Sequence, residues 1–171
     1  MNFKKFNVIE HGITWLHEKT NEKQFLIFSS ILVGVTAGIA AVILKSIVYA
    51  IRRLILDYQI PSFSYPFLYL LLPIFGIGLC VLLVKYSFKG QVNKGAFPIL
   101  YSIAKKGSYL PFSQMYSHIF TSALTVGFGG SAGLESPIVS TGSAIGSNFG
   151  RTYKLNYKDR TLLLAAGAAG G

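Results

Sequence analysis

From Gln24 to Val84 the chain carries only four formal charges, Lys45, Arg52, Arg53 and Asp57, and from Gly107 to Leu134 it carries none. A water-soluble fold has to present polar groups over most of its surface. A bilayer core instead asks for about 20 apolar residues per helical crossing. The two stretches have the length and the charge content of membrane segments. Whole-chain composition agrees, since 13% of the 171 residues are charged, against about a quarter in an ordinary soluble domain. The sequence therefore predicts an all-α, polytopic membrane protein.

The net charge of +10 would suit a nucleic-acid surface, but the basic residues occupy the gaps between apolar segments. They fall at Lys45 to Arg53, Lys85 to Lys106 and Arg151 to Arg160. That is the pattern of loops and helix ends reaching phospholipid headgroups, so membrane lipid is the expected partner and nucleic acid is not. Cys80, the one cysteine, sits inside an apolar run and has no internal disulfide partner. His11 and His17 have no metal-ligand pattern around them, and the sequence calls for no metal or cofactor. Glu10, Glu18 and Glu22 interrupt any signal-peptide core. Residues 1–23 form a lead-in whose segment 4–20, with Trp15, suits either an interfacial helix or a soluble arm. The lysine set Lys85, Lys89, Lys94, Lys105 and Lys106 marks a cytoplasmic loop, which after two crossings puts the N-terminus in the cytoplasm. The expected location is a bacterial-type inner (plasma) membrane.

A first span is expected from about 25 to 44, continuing helically past Arg53. Gly34 and Gly38 form a small-xxx-small face that lets a neighbouring helix approach. Pro61 and Pro66 punctuate a turn. A second span covers about 67 to 84, with Pro73, Gly76 and Gly78 in its middle. After it the pattern changes to short pieces: 98–104, a helix over 112–126, a glycine-rich break, a helix over about 137–150, and another from Leu162 onward. Gly142, Gly146 and Gly150 recur every fourth residue as a smooth packing face. Short half-helices entered through Gly and Pro belong to secondary transporters, where they point their termini at a mid-membrane site.

Within this half of the chain one acid stands alone between Asp57 and Asp159, namely Glu135. A carboxylate inside a membrane segment is costly and is a functional candidate by default. The next cation is Arg151, about 24 Å along a helix. Glu135-Ser136-Pro137 reads as a helix start with Pro in the first turn, and the preceding glycines can turn N–H groups toward one point. Free N–H groups and the positive end of the helix dipole make an anion site, with Glu135 as a tethered occupant. The alternative is a glutamate that merely stabilises its own helix. A rival chemistry is also written here: Gly129-Gly130-Ser131-Ala132-Gly133 matches G-x-S-x-G, the serine-hydrolase elbow. It lacks a preceding strand and any downstream His, leaving His118, upstream, as the only membrane-embedded candidate base.

From Gly129 to Gly171 the sequence resembles the CLC family of chloride channels and chloride–proton antiporters. The family runs G-[KR]-E-G-P, a glycine-rich helix ending in Gly-Arg, a polar loop, then L-L-A-x-G-A-A-A-G. Here these read Gly133-Leu134-Glu135-Ser136-Pro137, Gly146 to Arg151, and Leu163-Leu164-Ala165-Ala166-Gly167-Ala168-Ala169-Gly170. Lys94 to Pro98 falls where the family carries its G-S-G-I-P turn. The resemblance implies broken and tilted helices forming the first of two inverted repeats. Residues 24–171 would then be the N-terminal part of the anion-transport domain of a longer protein, its second half beyond Gly171. It implies transport of chloride or a similar small anion by a homodimer, with no enzymatic activity. Glu135 would be the gating glutamate. Ser131, Gly133, Leu134, Ser136 and Pro137 would lie around the outer anion site, and Gly95, Ala96, Phe97 and Pro98 would form an anion-binding turn. The sequence departs from the family at Leu134 (usually basic), Ser136 (usually Gly) and Gly95 (usually Ser). The other functions considered are a different broken-helix secondary transporter and an intramembrane hydrolase using Ser131.

Overall fold

A computed structural model of the chain describes residues 22–57, 71–87, 97–105 and 107–171. The lead-in segment 4–20, the turn at Pro61 and Pro66, and Gly95 and Ala96 lie outside the described residues. Among those described, all regular structure is helical: α1 (Glu22–Asp57), α2 (Leu71–Ser87), α3 (Phe97–Lys105), α4 (Gln114–Gly127), α5 (Glu135–Thr152) and α6 (Tyr157–Gly170).

The 36 residues of α1 extend about 54 Å, well beyond the hydrocarbon thickness of a bilayer. Its buried positions trace one stripe, Phe25, Ser29, Val33, Ala37, Ala41, Leu44 and Val48, spaced three and four apart as a single helix face requires. The outward faces are also apolar, with Ile27, Ile31, Val35, Ile39 and Val42 all exposed. The segment Lys23–Ile55 has the length and composition to cross a membrane, yet only 22% of its most apolar window is buried. A core helix of a soluble protein would be mostly enclosed. An apolar surface on nearly every side is what lipid contact demands. A second, shorter apolar helix covers Leu71–Tyr86.

Pro73, Gly76 and Gly78, expected within the second span, all lie within α2. Gly76 is where α2 meets the end of α4, since a Cβ at that position would come within 2.5 Å of the Phe128 Cβ.

The centre of the molecule is the antiparallel hairpin of α5 and α6, laid against α1. The glycine ladder sets its closeness. A Cβ on Gly142 would collide with the Gly167 carbonyl, one on Gly146 with the Leu163 carbonyl, and one on Gly150 with the Arg160 side chain at 2.8 Å. On the other side a Cβ on Gly170 would reach the Gly34 Cα at 2.7 Å, and one on Gly38 would lie 3.3 Å from the Gly170 carbonyl oxygen. Backbone therefore packs on backbone along both faces of α6. Apolar clusters fill in around this contact. Ala41, Leu44, Val48, Ala123 and Ile138 tie α1 to α4 and α5, while Phe25, Val33, Leu155 and Leu163 tie α1 to α6. Ile99, Leu110, Ala144 and Leu164 attach α3.

Helix α6 begins at Tyr157, five residues before the expected start. Lys154 adopts φ 51°, and its N–H bonds the Arg151 carbonyl while Leu155 N–H bonds the Gly150 carbonyl. This pair of bonds is a Schellman termination. The chain thus reverses within Tyr153–Asn156, and the charged residues Lys158, Asp159 and Arg160, which read as loop, become the first turn of a helix.

Candidate functional site

The glycine-rich break divides into two structural jobs. Its first half ends α4: Gly129 N–H bonds the Val126 carbonyl and Gly130 N–H bonds the Thr125 carbonyl, with Gly129 at φ +93°. A side chain is strained in that left-handed position, so Gly129 is there to stop the helix. The second half, Ser131 to Leu134, leads into α5 and is largely exposed. Ala132 N–H bonds back to the Gly130 carbonyl, and no Cβ contact would restrict Gly133.

Glu135 is the first residue of α5, and its side chain is exposed, as is that of Ser136. The first helical bond into the preceding turn is Ile138 N–H to the Leu134 carbonyl at 3.1 Å. Pro137 has no N–H. Among the described hydrogen bonds none uses the backbone N–H of Ser131, Gly133, Leu134 or Ser136. Unbonded donors at a helix N-terminus, with the positive end of the dipole behind them, are suited to hold an anion.

Leu134 has a second occupation. Its side chain is half-buried against the cluster of Ala41, Leu44, Val48, Ala123 and Ile138. It anchors the start of α5 to α1 by apolar contact, and only its backbone is available to an anion. Phe97 and Pro98 open α3; Phe97 is exposed and stacks on Tyr101 within its own helix. Among the described residues no hydrogen bond or ring contact joins them to the Ser131–Pro137 turn. Beside the turn, Arg52, Ile55, Leu72, Pro73 and Gly127–Gly129 enclose a cleft of about 270 Å³.

The hydrolase pairing does not form. His118 is buried in α4. The turn carrying Ser131 is bonded to α4 at Thr125 and beyond, seven residues and about 10 Å further along the axis. A nucleophile and its base need direct hydrogen-bond reach.

One basic residue departs from its expected place. Arg160, assigned by its position to the headgroup-facing loops, is only 6% exposed. It donates to the Gly107 carbonyl at 2.8 Å and to the Leu155 carbonyl at 2.7 Å. Its guanidinium lies 3.8 Å from the centre of the Tyr109 ring. The loop it holds is bonded throughout. Ser147 Oγ accepts from Leu110 N–H (2.9 Å) and donates to the Ser108 carbonyl (2.6 Å). Ser108 Oγ shares a hydrogen bond with Thr161 Oγ1, and Ser108 N–H bonds the Ser102 carbonyl. Gly107 and Ser108 both have positive φ, 60° and 63°. These side chains are 37 to 53 positions apart along the chain, so no local motif announces them. The nearest signal is an arginine two residues before the apolar run Leu162–Leu164, where a lipid-facing cation would be costly.

Comparison with known protein families gives a match over residues 76–171 to the family described as voltage gated chloride channel, which is more than half of the chain. No curated protein and no solved structure matches it.

Proposed function

The chain belongs to the voltage gated chloride channel family, whose members are membrane channels and transporters rather than enzymes, and on that premise we propose that Glu135 gates an anion pathway at the N-terminus of α5. The observation that carries this reading is the placement of a lone carboxylate on the first residue of a helix, beside backbone N–H groups that no other group in the described structure engages. Such a site attracts either the carboxylate or a mobile anion. Two unit negative charges about 4 Å apart repel by roughly 4 kcal/mol at an effective dielectric of about 20. Joint occupancy is therefore disfavoured about a thousandfold, and the carboxylate and chloride exclude one another. Protonating Glu135, or outcompeting it at high chloride, releases the site. Ser131, Gly133, Leu134, Ser136 and Pro137 surround it in this reading, and Gly95, Ala96, Phe97 and Pro98 supply a further anion-binding turn.

Residues 24–171 act as part of the transmembrane anion-transport domain, in contact with lipid, within a homodimer in a bacterial-type inner membrane and with the N-terminus cytoplasmic. The test is Glu135→Gln in the complete protein, reconstituted in liposomes. Glutamine keeps the volume and removes the charge. Anion flux is expected to rise and to lose its dependence on pH. A folded variant with wild-type flux and intact pH dependence would return Glu135 to the role of a helix-stabilising residue.

A further inference from the structure

The last basic stretch of the chain is folded into a rim rather than left as a loop. Arg151, Lys154 and Lys158 are exposed. Arg160 is buried beneath them and holds two carbonyls rather than an acid, so its charge is fixed in place without a carboxylate to neutralise it. The acid of the stretch, Asp159, is half-buried and lies in the first turn of α6, where it answers the positive end of its own helix dipole.

Tertiary contacts bring a further cation to the same rim. The Tyr157 hydroxyl donates to the Ile103 carbonyl at 3.0 Å, two residues before exposed Lys105 at the end of α3. The Arg151 guanidinium lies 6.0 Å from the centre of the Tyr109 ring, and that of Arg160 lies 3.8 Å from it. The ends of α3 and α5, the Gly107–Leu110 loop and the start of α6 therefore meet around two exposed tyrosines, Tyr109 and Tyr157. Among the described residues the rim holds five cations, Lys105, Arg151, Lys154, Lys158 and Arg160, against Asp159. A face that only kept the protein soluble would mix both signs.

The rim also stands at the edge of an apolar surface. Leu162, one helical turn beyond Lys158, is 54% exposed, and Tyr101, one turn before Lys105, is 43% exposed. Residues four apart share a helix face, so each cation sits above an outward apolar or aromatic side chain. Cations and tyrosines at the border of an apolar surface match the headgroup level of a bilayer. A soluble polyanion would have no use for the apolar part.

We propose that Lys105, Arg151, Lys154 and Lys158, with Tyr109 and Tyr157, bind the headgroup of an anionic phospholipid, which they select over zwitterionic lipid. The Arg151 fork and the lysine ammonium groups donate to the phosphate oxygens. The tyrosine rings lie at headgroup level, and an acyl chain runs down past Leu162 and Tyr101.

The test titrates the complete protein in detergent micelles with phosphatidylglycerol or phosphatidylcholine of identical acyl chains, and counts bound lipid by native mass spectrometry. Binding is read without flux, so its outcome leaves the gating role of Glu135 untouched. Each cation close to an anionic headgroup is worth about fivefold in affinity. The wild type is expected to bind phosphatidylglycerol about 25-fold or more tighter than phosphatidylcholine, and Arg151→Gln/Lys158→Gln to lose that preference. Lys45→Gln/Lys85→Gln, which removes the same charge from exposed positions on α1 and α2, should keep it. Should the Arg151→Gln/Lys158→Gln protein not be monodisperse, Lys158→Gln decides alone, with an expected loss of about fivefold. Excess inorganic phosphate at constant ionic strength should not displace the lipid. Equal affinity of the wild type for the two lipids overturns the proposal, as does a preference that survives in the folded rim variants or falls equally in the control. Displacement by phosphate would mark a site for free anions, and a rim variant that lost self-association instead of lipid would mark a contact between copies; either overturns the lipid assignment.

Discussion

Helices α1 and α5 distribute their residues in opposite ways. Isoleucine, valine and phenylalanine point outward along α1, whereas α5 encloses Ser140, Thr141, Ser143, Ser147 and Asn148 together with its glycines. In water this arrangement would be inverted. In lipid it is economical, because burying apolar side chains gains little when the solvent is itself apolar, and helix association depends on close backbone approach and hydrogen bonds. The outside of this molecule is suited to its solvent, and the inside to close contact with neighbouring backbone.

The glycine ladder of α5 is where that rule can be broken most severely. Gly146→Leu would drive a side chain into the Leu163 carbonyl and part the α5–α6 hairpin. Overpacking of this kind costs about 1–3 kcal/mol in side-chain cores and more against rigid backbone. The expected outcome is loss of monodisperse protein on size-exclusion chromatography. Ile145→Leu, one residue away and half-buried, should cost less than about 1.5 kcal/mol.

On the outer surface of α1, exposed Val35 answers to the membrane rather than to neighbours. Val35→Asp should disfavour insertion of the Lys23–Ile55 segment by about 3 kcal/mol, measured by the fraction inserted in a glycosylation-mapping assay. A protein that inserted equally well with aspartate there would not be using this face against lipid.

The smallest effects sharpen the account of the polar interior. Ser147 satisfies two backbone groups, so Ser147→Ala should lower stability by about 1–3 kcal/mol, because Leu110 N–H and the Ser108 carbonyl are left unpaired. Thr141 is just as buried, but its hydroxyl has no partner. Thr141→Val should therefore be neutral or slightly stabilising. Thermal melts of the two variants side by side check the contrast, which would fail if both lost the same stability.

Much of this was legible from residue order. The uncharged runs required membrane helices, the Gly34–Gly38 and Gly142–Gly150 spacings marked close faces, and Glu135-Ser136-Pro137 marked a helix start. Residue order misleads where local signals compete. Lys154 ends α5 without the glycine that usually occupies a left-handed cap, so the charged stretch behind it looked like loop and hid the start of α6. Leu134 stood out as a departure from a basic residue, but its packing on α1 depends on residues some ninety positions earlier.

By itself the sequence determined the solvent of this protein, the family to which it belongs and the position of its one isolated carboxylate. These follow from hydropathy, spacing and short motifs, which are local along the chain. Only the tertiary structure decided which glycine faces which backbone, that Gly129 serves to end α4, and that Arg160 is enclosed among carbonyls and an aromatic ring. Those outcomes depend on contacts between residues far apart in the chain. Which partner a buried group finds is set by how the helices pack, and no short-range pattern encodes it.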